Sequence, residues 1–581
     1  MAWESGFASD YRDLLLRLKE VITGSTLITM PVVSGTGDGV LHGLHTTGAT
    51  AAETWTITCT NDLVPATFSV VGSVSGAQAS ATADVPYTYG TLSFIITAGS
   101  VDFEVGDSFT FAVAVNPLVA ASQVWSVERW SGTGAKVVNY LVSSVYDGTG
   151  TYNGEKAVDL STTTYWSSQV GEVSGAWWQV EFDKPVDIRK FSIGGYTHEW
   201  PTNTNPAAPK DFDIAYSDDG ISFTVDSSYV DQITWLTGEV REFLLTGTGG
   251  AHKFWRINIA ATNPGGTAVK LYSLKLFSQP NALFNVAYYG DGYDAVLRGP
   301  GTAGGDDIYV AIRPDAYIHN GPNWVLEGSL GYASGLDSLG QPGYSNELIT
   351  SPQPHQPRLP LFDAPFKYWI TVSGRVITVA ARFQGISELC QLGFFLPYAM
   401  PEQSQYPYPL IIAGAQSGGG NSSYTSFNWQ RADDGHSLVF SPRCAASGLS
   451  GIDAAPSPVR VYTPYNTWAQ VANFYSGNYN WPYGEAKTLT TTPYQMMRDP
   501  EGVGSYAAYL GPMLNGKYPL TAICLVDVIN DATYGELDGL KHIPGVHPIE
   551  SIITDDEDQD WLVLNNVFRV SSVDFVAMRL L

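Results

Sequence analysis

The first strong pattern in the chain is an apolar stripe with the period of an α-helix. Six apolar residues recur at spacings of three and four, namely Tyr11, Leu14, Leu15, Leu18, Val21 and Ile22. A helix presents residues at these spacings on one face. Ser9 or Asp10 is a candidate N-cap, and Gly24 is a candidate C′ residue. The pattern predicts a helix over about residues 9–24, packed either on its own domain or on another subunit.

Residues 27–117 change to the period of β-strands. "TWTITCT", "ATFSVVG", "LSFIITAG" and "DSFTFAVAV" alternate or run apolar, and Gly, Asn and Asp separate them. The segment contains no Lys or Arg and no cluster of titratable residues. These features predict a small all-β module without a chemical site of its own.

Longer strands with more aromatic residues follow, over residues 136–280. They are "AWWQVEF", "IRKFSIGGY", "DFDIAYS", "HKFWRINIA" and "VKLYSLKLF". Alternation in "WWQVEF" places Trp178, Val180 and Phe182 on one face and Trp177, Gln179 and Glu181 on the other. The first face is apolar, so we expect Trp178 in a core. The role of Trp177 is left open.

Residues from 283 onward are dense in Tyr, Trp, Pro and Gly and show no sustained helical period. "KYWITVSGRVITVAARF" predicts a hairpin with Ser373 and Gly374 at the turn, and "YPLTAICLVDV" and "WLVLNNVFRVSSVDFVAMRL" predict buried strands. The acidic run "TDDEDQDW" lacks the glycine and glutamate of an EF-hand loop, so it is read as a turn before Trp561. "GPMLNGKY" is rejected as a phosphate-binding loop because Pro519 prevents a helix from following it.

Composition narrows the class of protein. At 581 residues the chain exceeds the size of a single core, which is roughly 250–300 residues. The net charge of −26 argues against nucleic acid as a partner, because phosphate contacts need clustered Lys and Arg. The four scattered cysteines, Cys59, Cys390, Cys444 and Cys524, predict free buried thiols in a reducing cytoplasm. The N-terminus lacks the pattern of a signal peptide, and no apolar run reaches the ~20 residues of a membrane helix, so we expect no membrane insertion.

Residues 145–277 resemble the discoidin domain, also called the F5/8 type C domain, whose fold is shared by family 32 carbohydrate-binding modules. The residues that carry the resemblance lie in "AVDLSTTTYWSS", "WWQVEF", "PKDFDIAYSDDGISF" and "FWRINI". The resemblance implies a jelly-roll β-sandwich that binds ligands at the loops of one end. It also implies that Trp166 and Trp178 pack inward.

Two candidate sites follow in this domain. The loop "YTHEWPTNTNPAAP" offers aromatic and polar groups suited to a glycan, namely Tyr196, His198, Trp200 and Asn203. Packing of this loop against a neighbouring domain is the alternative. The resemblance further implies a structural calcium, for which Ala157, Asp159 and Thr164 match. Leu160 and Ser273 replace a glycine and a glutamate of the family pattern.

Two further stretches resemble tailed-phage proteins. Residues 27–117 are similar to a small β module of phage structural proteins. "YDAVLRGPGTAGGDDIYVAIRP" and the phrases after it resemble tail-tip or baseplate virion proteins, as do the opening helix and "VWSVERW". The resemblance implies a virion protein assembled in the host cytoplasm, in contact with other tail proteins, host-surface glycans and copies of itself around the tail axis.

The expected fold class is therefore mainly β and multidomain, with a short N-terminal helix, a small β module, a discoidin-like jelly-roll sandwich and a large β-rich platform. The predicted units are 1–26, 27–117, a connecting strand or linker at 118–135, 136–280 and 281–581, and the first and third units are hypothesised to join the platform. No catalytic motif is present, so an enzyme is not expected. The alternatives are a carbohydrate-active tail enzyme with a binding module and a purely structural decoration without a ligand.

Overall fold

The structure is a computed structural model. It describes residues 2–24, 26–46, 52–90, 92–120, 125–131, 135, 137–158, 164–194, 206–236, 238–247, 250–278, 294–301, 307–315, 323–334, 336, 338–345, 357–361, 364–383, 386–398, 406, 408–414, 459–470, 489–493, 520–527, 532–543, 549–565 and 575–580. Within these ranges, no helix has the length and apolar character needed to cross a membrane.

The secondary structure is mainly β, as predicted. The elements up to residue 131 are β1 (Ala2–Ala8), α1 (Tyr11–Thr23), β2 (Thr26–Ile28), β3 (Val32–Ser34), β4 (Val40–Thr46), β5 (Glu53–Asn61), β6 (Thr67–Gly72), β7 (Gly76–Ala77), β8 (Ala81–Thr82), β9 (Tyr87–Tyr89), β10 (Leu92–Thr97), β11 (Ser108–Val115), α2 (Pro117–Ala120) and β12 (Ser126–Ser131). Those of the next region are β13 (Val137–Val142), the 3-10 helix η1 (Gly154–Ala157), β14 (Trp166–Ser167), β15 (Ala176–Asp187), β16 (Lys190–Gly194), β17 (Pro209–Ser217), β18 (Thr224–Tyr229), β19 (Val240–Leu244), β20 (Ala251–Thr262), β21 (Lys270–Leu271) and β22 (Lys275–Phe277).

The remaining strands are β23 (Asp294–Gly299), β24 (Ile308–Asp315), β25 (Asn323–Ser329), β26 (Arg358–Pro360), β27 (Phe366–Val372), β28 (Val376–Phe383), β29 (Ile386–Phe394), β30 (Leu396–Pro397), β31 (Leu410–Ala413), β32 (Arg460–Tyr462), β33 (Trp468–Gln470), β34 (Leu489–Pro493), β35 (Thr521–Asp527), β36 (Ala532–Ile543), β37 (Ile552–Thr554), β38 (Asp560–Asn565) and β39 (Phe575–Arg579).

The predicted helix forms and buries its apolar stripe. Asp10 is the N-cap, and its carboxylate accepts hydrogen bonds from the backbone amides of Arg12 and Asp13. Gly24 ends the helix, as predicted, and its backbone is extended, with a φ of −78°. Glycine is required there because a Cβ atom would lie 2.4 Å from the Glu20 carbonyl oxygen.

Three sheets, built mainly from the strands after residue 294, stack on one another, and helix α1 is buried between two of them. The outer sheet has the order β12-β23-β24-β25-β26, and the central sheet has the order β1-β27-β28-β29-β31-β32-β33. Helix α1 packs in the core that these two sheets share. The opposite face of the central sheet packs on a third sheet, β34-β35-β36-β39-β38-β37. Burial on both faces explains why β27, β28 and β31 of the central sheet are mostly apolar along their length.

Residues far apart in sequence join this core directly. Strand β1 pairs with β27, and β12 pairs with β23. The indole N–H of Trp125 donates to the Ser373 carbonyl, and that of Trp324 donates to the Tyr11 carbonyl. The segments before residue 24 and at 125–131 are therefore built into the same core as the strands after residue 294. Strand β1 was not anticipated from the sequence.

The small β module lies between these two segments in sequence. Its sheets have the orders β2-β11-β5-β6-β7 and β4-β10-β9. They enclose one core, which includes Ile57, Phe68, Phe94 and Phe109. The four strands predicted here from apolar patterns are confirmed as β5, β6, β10 and β11.

Residues 137–277 form a sandwich. One sheet has the order β13-β15-β20-β17-β18, and the other has the order β19-β16-β22. The stretch "VKLYSLKLF" was predicted as one strand, but it is divided into β21 and β22. The break lies at Ser273, whose φ is 40° and cannot continue a strand.

Two smaller predictions in the C-terminal region are also confirmed. Strands β27 and β28 form the predicted hairpin, in which the Ser373 amide donates to the Val376 carbonyl. The acidic run is a turn between β37 and β38. The buried Asp555 carboxylate accepts from the Glu557 and Gln559 amides and from the Trp561 indole.

Candidate functional site at the loop end of the sandwich

The sandwich has two ends that differ in what they can present to a ligand. Val137 pairs with Phe182, and Val142 pairs with Trp178. The C-terminal end of β13 therefore lies beside the N-terminal end of β15. Pro209, at the start of β17, pairs with Thr262 at that same end. The Phe277 carbonyl accepts from the Arg189 amide at the opposite end. We call the end with Val142, Pro209 and Thr262 the loop end.

The residues predicted for glycan contact, Tyr196, His198, Trp200 and Asn203, lie outside the described residues. The loop that carries them is described again from residue 206. There Ala207 is buried, and its carbonyl accepts from the Lys270 amide at 2.9 Å. The end of the predicted loop is thus fixed to β21.

Trp166 and Trp178 lie in the core of the sandwich, as predicted. Both are fully buried. Their indole N–H groups donate to backbone carbonyls, Trp166 to Ser144 at 2.9 Å and Trp178 to Gly154 at 2.8 Å. These two tryptophans hold the loop end in place and are not available to a ligand.

Trp177 lies on the outer face of the larger sheet. The Arg256 guanidinium lies between two aromatic rings, 4.3 Å from the Trp177 ring centroid and 3.6 Å from that of Phe223. The same guanidinium donates to the Gln179 side-chain oxygen. Trp177 is therefore a half-buried partner of a cation on the sheet surface.

A row of four tyrosines runs from the surface at the loop end into the core. The Tyr146 and Tyr152 ring centroids are 5.3 Å apart, those of Tyr152 and Tyr165 are 5.1 Å apart, and those of Tyr165 and Tyr272 are 4.4 Å apart. Tyr146 is 47% exposed and Tyr272 only 4% exposed. We call Tyr146, Tyr152, Tyr165 and Tyr272 the tyrosine row. Its inner end is anchored in the core, so its outer rings are held in place before any ligand arrives.

The backbone of Ser167 brings the row together. Its carbonyl accepts from the Tyr146 amide at 3.0 Å, and its amide donates to the Tyr152 carbonyl at 3.3 Å. Ser167 also pairs with Lys270 across β14 and β21. The Lys270 ammonium lies 4.7 Å from the Tyr165 ring centroid and 3.5 Å from the Tyr165 hydroxyl.

Polar side chains lie in the turn that links Tyr146 to Tyr152. The Thr149 hydroxyl donates to the Asp147 carboxylate at 2.8 Å and lies 2.9 Å from the Thr151 hydroxyl. Asp147, Thr149 and Thr151 are exposed. An aromatic surface beside hydroxyl and carboxylate groups can pack against the C–H face of a sugar and bond to its hydroxyls.

The described residues do not by themselves form a calcium site. The Ala157 carbonyl accepts from the Leu274 amide at 2.6 Å, and Ser273 provides a neutral hydroxyl where the family pattern has a glutamate. Calcium prefers six to eight oxygens, several of them anionic. Among the described residues, no group of three His, Cys, Asp or Glu side chains could hold a metal. Asp159 lies outside these residues, and the calcium site stays a prediction.

Sequence reasoning did not find the tyrosine row. Its members lie at residues 146, 152, 165 and 272, and no local spacing relates them. Only the non-local pairing of β14 with β21 and the backbone bonds of Ser167 bring them together. The one usable signal was the number of tyrosines near Trp166 in the stretch from Tyr146 to Tyr165.

The prediction of free, buried thiols is confirmed for the three cysteines that the structure describes. Cys59, Cys390 and Cys524 are free and buried. Burial raises the pKa of the Cys390 thiol to about 12. Cys444 lies outside the described residues.

Comparison with known proteins supports the identity of the sandwich. Residues 141–271 match the model of the F5/8 type C domain, which confirms that predicted resemblance. No curated protein was found to match the chain.

Solved structures similar to the chain include family 32 carbohydrate-binding modules. One belongs to a family 31 glycoside hydrolase of Clostridium perfringens (17% identity over 24% of this chain and 94% of that chain, TM-score 0.20). A second belongs to EndoD of Streptococcus pneumoniae (18% identity over 26% and 100%, TM-score 0.20). A third, from NanJ of C. perfringens, was solved with galactose (13% identity over 25% and 98%, TM-score 0.20). The fold assignment rests on the family match and on the sheet topology.

Proposed function

We propose that the sandwich of residues 137–277 binds glycans at its loop end, with the tyrosine row as the stacking surface. The observation that carries this proposal is the anchored row of aromatic rings, exposed at Tyr146 and joined to polar groups at Asp147, Thr149 and Thr151. The match of residues 141–271 to the F5/8 type C domain supports it.

The preorganisation of the row favours weak ligands such as sugars. A sugar gains little from each hydrogen bond, because it exchanges bonds to water for bonds to protein. A surface that is already ordered loses little conformational entropy on binding. The stacking of Tyr165 on the buried Tyr272 and the backbone bonds of Ser167 supply this order.

We further propose that the whole chain is a non-enzymatic structural component of a tailed-phage virion, located at the tail tip, baseplate or fibre attachment. The sandwich would then serve adhesion to the host surface. The built-in position of residues 2–24 and 125–131 in the core of the C-terminal strands supports this proposal. The β module and the sandwich lie between these segments in sequence, as expected of two decorations inserted into one platform.

A glycan array with the full-length protein tests the binding proposal. We expect Tyr152→Ala to weaken binding about tenfold, because removal of one stacked ring costs roughly 0.5–1.5 kcal/mol beyond its buried area. Tyr216→Ala is the matched control, because Tyr216 stacks on His252 at the opposite end of the sandwich. Absence of binding to any glycan, or equal losses in the two variants, would contradict the proposal.

Three further experiments test the wider role. Antibodies against the full-length protein should label the tails of intact particles, and cryo-electron microscopy should place several copies around the tail axis. Incubation with bound glycans should release no new reducing ends. Release of reducing ends would favour a depolymerase instead.

A further inference from the structure

Lys270 places a cation beside the tyrosine row. Its ammonium lies beside the Tyr165 ring and hydroxyl, and its backbone is fixed on both sides, by pairing with Ser167 and by the bond to the Ala207 carbonyl. The Lys270 backbone is therefore held by the fold, and its ammonium lies against Tyr165.

Two tyrosines of the row have a pKa above the ordinary tyrosine value, so these two rings are neutral at physiological pH. Burial raises the pKa of Tyr272, and the hydrogen bond with Tyr165 raises that of Tyr152. Burial also lowers the pKa of Lys270, which shows that water solvates its ammonium poorly. A poorly solvated cation gains more from a carboxylate than a fully hydrated one, because less water must be removed from it.

The carboxylate nearest to the row in sequence is Asp147, which keeps its negative charge and is hydrogen-bonded within its own turn. Asp147 accepts hydrogen bonds from the Thr149 amide and hydroxyl, at 3.2 Å and 2.8 Å, within its own turn. Asp147 therefore orders the turn, and its remaining capacity to accept bonds suits sugar hydroxyls.

We propose that the tyrosine row binds acidic saccharides, with the sugar ring on the outer tyrosines and its carboxylate on Lys270. The ligand class is uronic acids and other carboxylated sugars. This inference rests on the glycan-binding function proposed above. Because the chain carries a net charge of −26, its long-range field repels polyanions, and acidic glycans must be selected by this local contact.

The test compares trigalacturonate with its carboxyl-reduced form, galactotriose, on the full-length protein by calorimetry at low and moderate salt. The two probes differ only in their carboxylates. We expect the wild type to bind trigalacturonate at least tenfold more tightly than galactotriose. We expect Lys270→Gln to remove this preference while leaving galactotriose binding within about twofold.

Two variants serve as controls. Lys270→Arg keeps the charge and should keep the preference for the acidic probe. Lys253→Gln removes a cation that lies 5.7 Å from the Phe254 ring centroid on the same sandwich, and it should change neither affinity. Thermal melting of each variant checks that the sandwich is folded.

The outcomes separate the two proposals. Equal or tighter binding of galactotriose by the wild type, or an unchanged ratio in Lys270→Gln, overturns the acidic preference and leaves glycan binding intact. A loss of both affinities in Lys270→Gln with an intact fold assigns Lys270 to general sugar contact and also overturns the preference. Absence of binding to both probes and to a broad glycan array overturns both proposals.

Discussion

His45 on β4 of the β module lies between two carboxylates of helix α1, with its Nε2 atom 2.5 Å from Asp13 Oδ1. Its Nδ1 atom lies 2.8 Å from the Glu20 carboxylate. Glu20 also accepts from the Arg17 guanidinium at 2.5 Å. Two ring nitrogens facing two carboxylates require the imidazolium form, in which both nitrogens donate. A charged network therefore docks the β module on helix α1.

Replacing His45 should loosen this docking. We expect His45→Gln to lower the free energy of local opening by about 1.5–3 kcal/mol, the contribution of hydrogen bonds to charged groups. Hydrogen exchange of backbone amides in α1 and β4 measures this energy. His252→Gln is the matched control, because the carboxylate partner of His252, Asp218, is 71% exposed and contributes little. Equal effects of the two substitutions would refute the docking role of His45.

The same network should make docking depend on pH in the alkaline range. Burial alone would lower the pKa of His45, but the charges and hydrogen bonds of Asp13 and Glu20 raise it to about 10. The unfolded value is about 6.5. Because the folded pKa is the higher one, the contribution is fully present below pH ~6.5 and is lost as the pH rises through about 10.

Melting temperatures of wild type and His45→Gln, compared between pH 6 and pH 10.5, measure this loss. Other groups that titrate near pH 10 are present in both proteins and cancel in the difference. The difference should be largest near pH 6 and should shrink towards pH 10.5. A difference that grows over this range would show that the proton on His45 is not what stabilises the docking.

Glu4 joins four elements, namely β1, α1, β2 and β27. Its fully buried carboxylate accepts from the Arg17 guanidinium, the Tyr368 hydroxyl at 2.8 Å and the Ile28 amide at 2.7 Å. We expect Glu4→Ala to destabilise the protein by about 3–5 kcal/mol, because it leaves the Arg17 charge buried without its partner. Chemical denaturation monitored by tryptophan fluorescence measures the change.

Asp231→Asn provides the comparison for Glu4→Ala. Asp231 pairs with Lys210 at 3.4 Å, but its side chain is 79% exposed. Its loss should cost less than about 1 kcal/mol. A small effect of Glu4→Ala, similar to that of Asp231→Asn, would mean that water enters the Glu4 site and solvates Arg17.

The sequence predicted what local patterns encode. The stripe from Tyr11 to Ile22 predicted the helix, and alternation placed Trp178 and Trp177 on opposite faces, because both follow from geometry within one element. Strand β1 was not predicted because "AWESGFA" has no apolar alternation. Among the described residues its sheet partner is β27, more than 350 residues away. The tyrosine row was not predicted for the same reason, because Ser167 and Lys270 are far apart in sequence and pair with each other in the folded chain.

The adjacent tryptophans of β15 test whether alternation along the strand predicts which side chain is buried. Trp178 is fully buried and bonded to the Gly154 carbonyl, whereas Trp177 is half-buried and contacts the Arg256 guanidinium on the sheet surface. We expect Trp178→Ala to destabilise the sandwich by about 3–5 kcal/mol through the cavity that it leaves. Trp177→Ala should cost about 1 kcal/mol, the contribution of a partly exposed cation–π contact with some lost burial. Calorimetry of the full-length protein, with the transition of the sandwich assigned by hydrogen exchange, measures both. Comparable losses would mean that the outer face of the larger sheet is also covered, and that Trp177 belongs to a second buried contact.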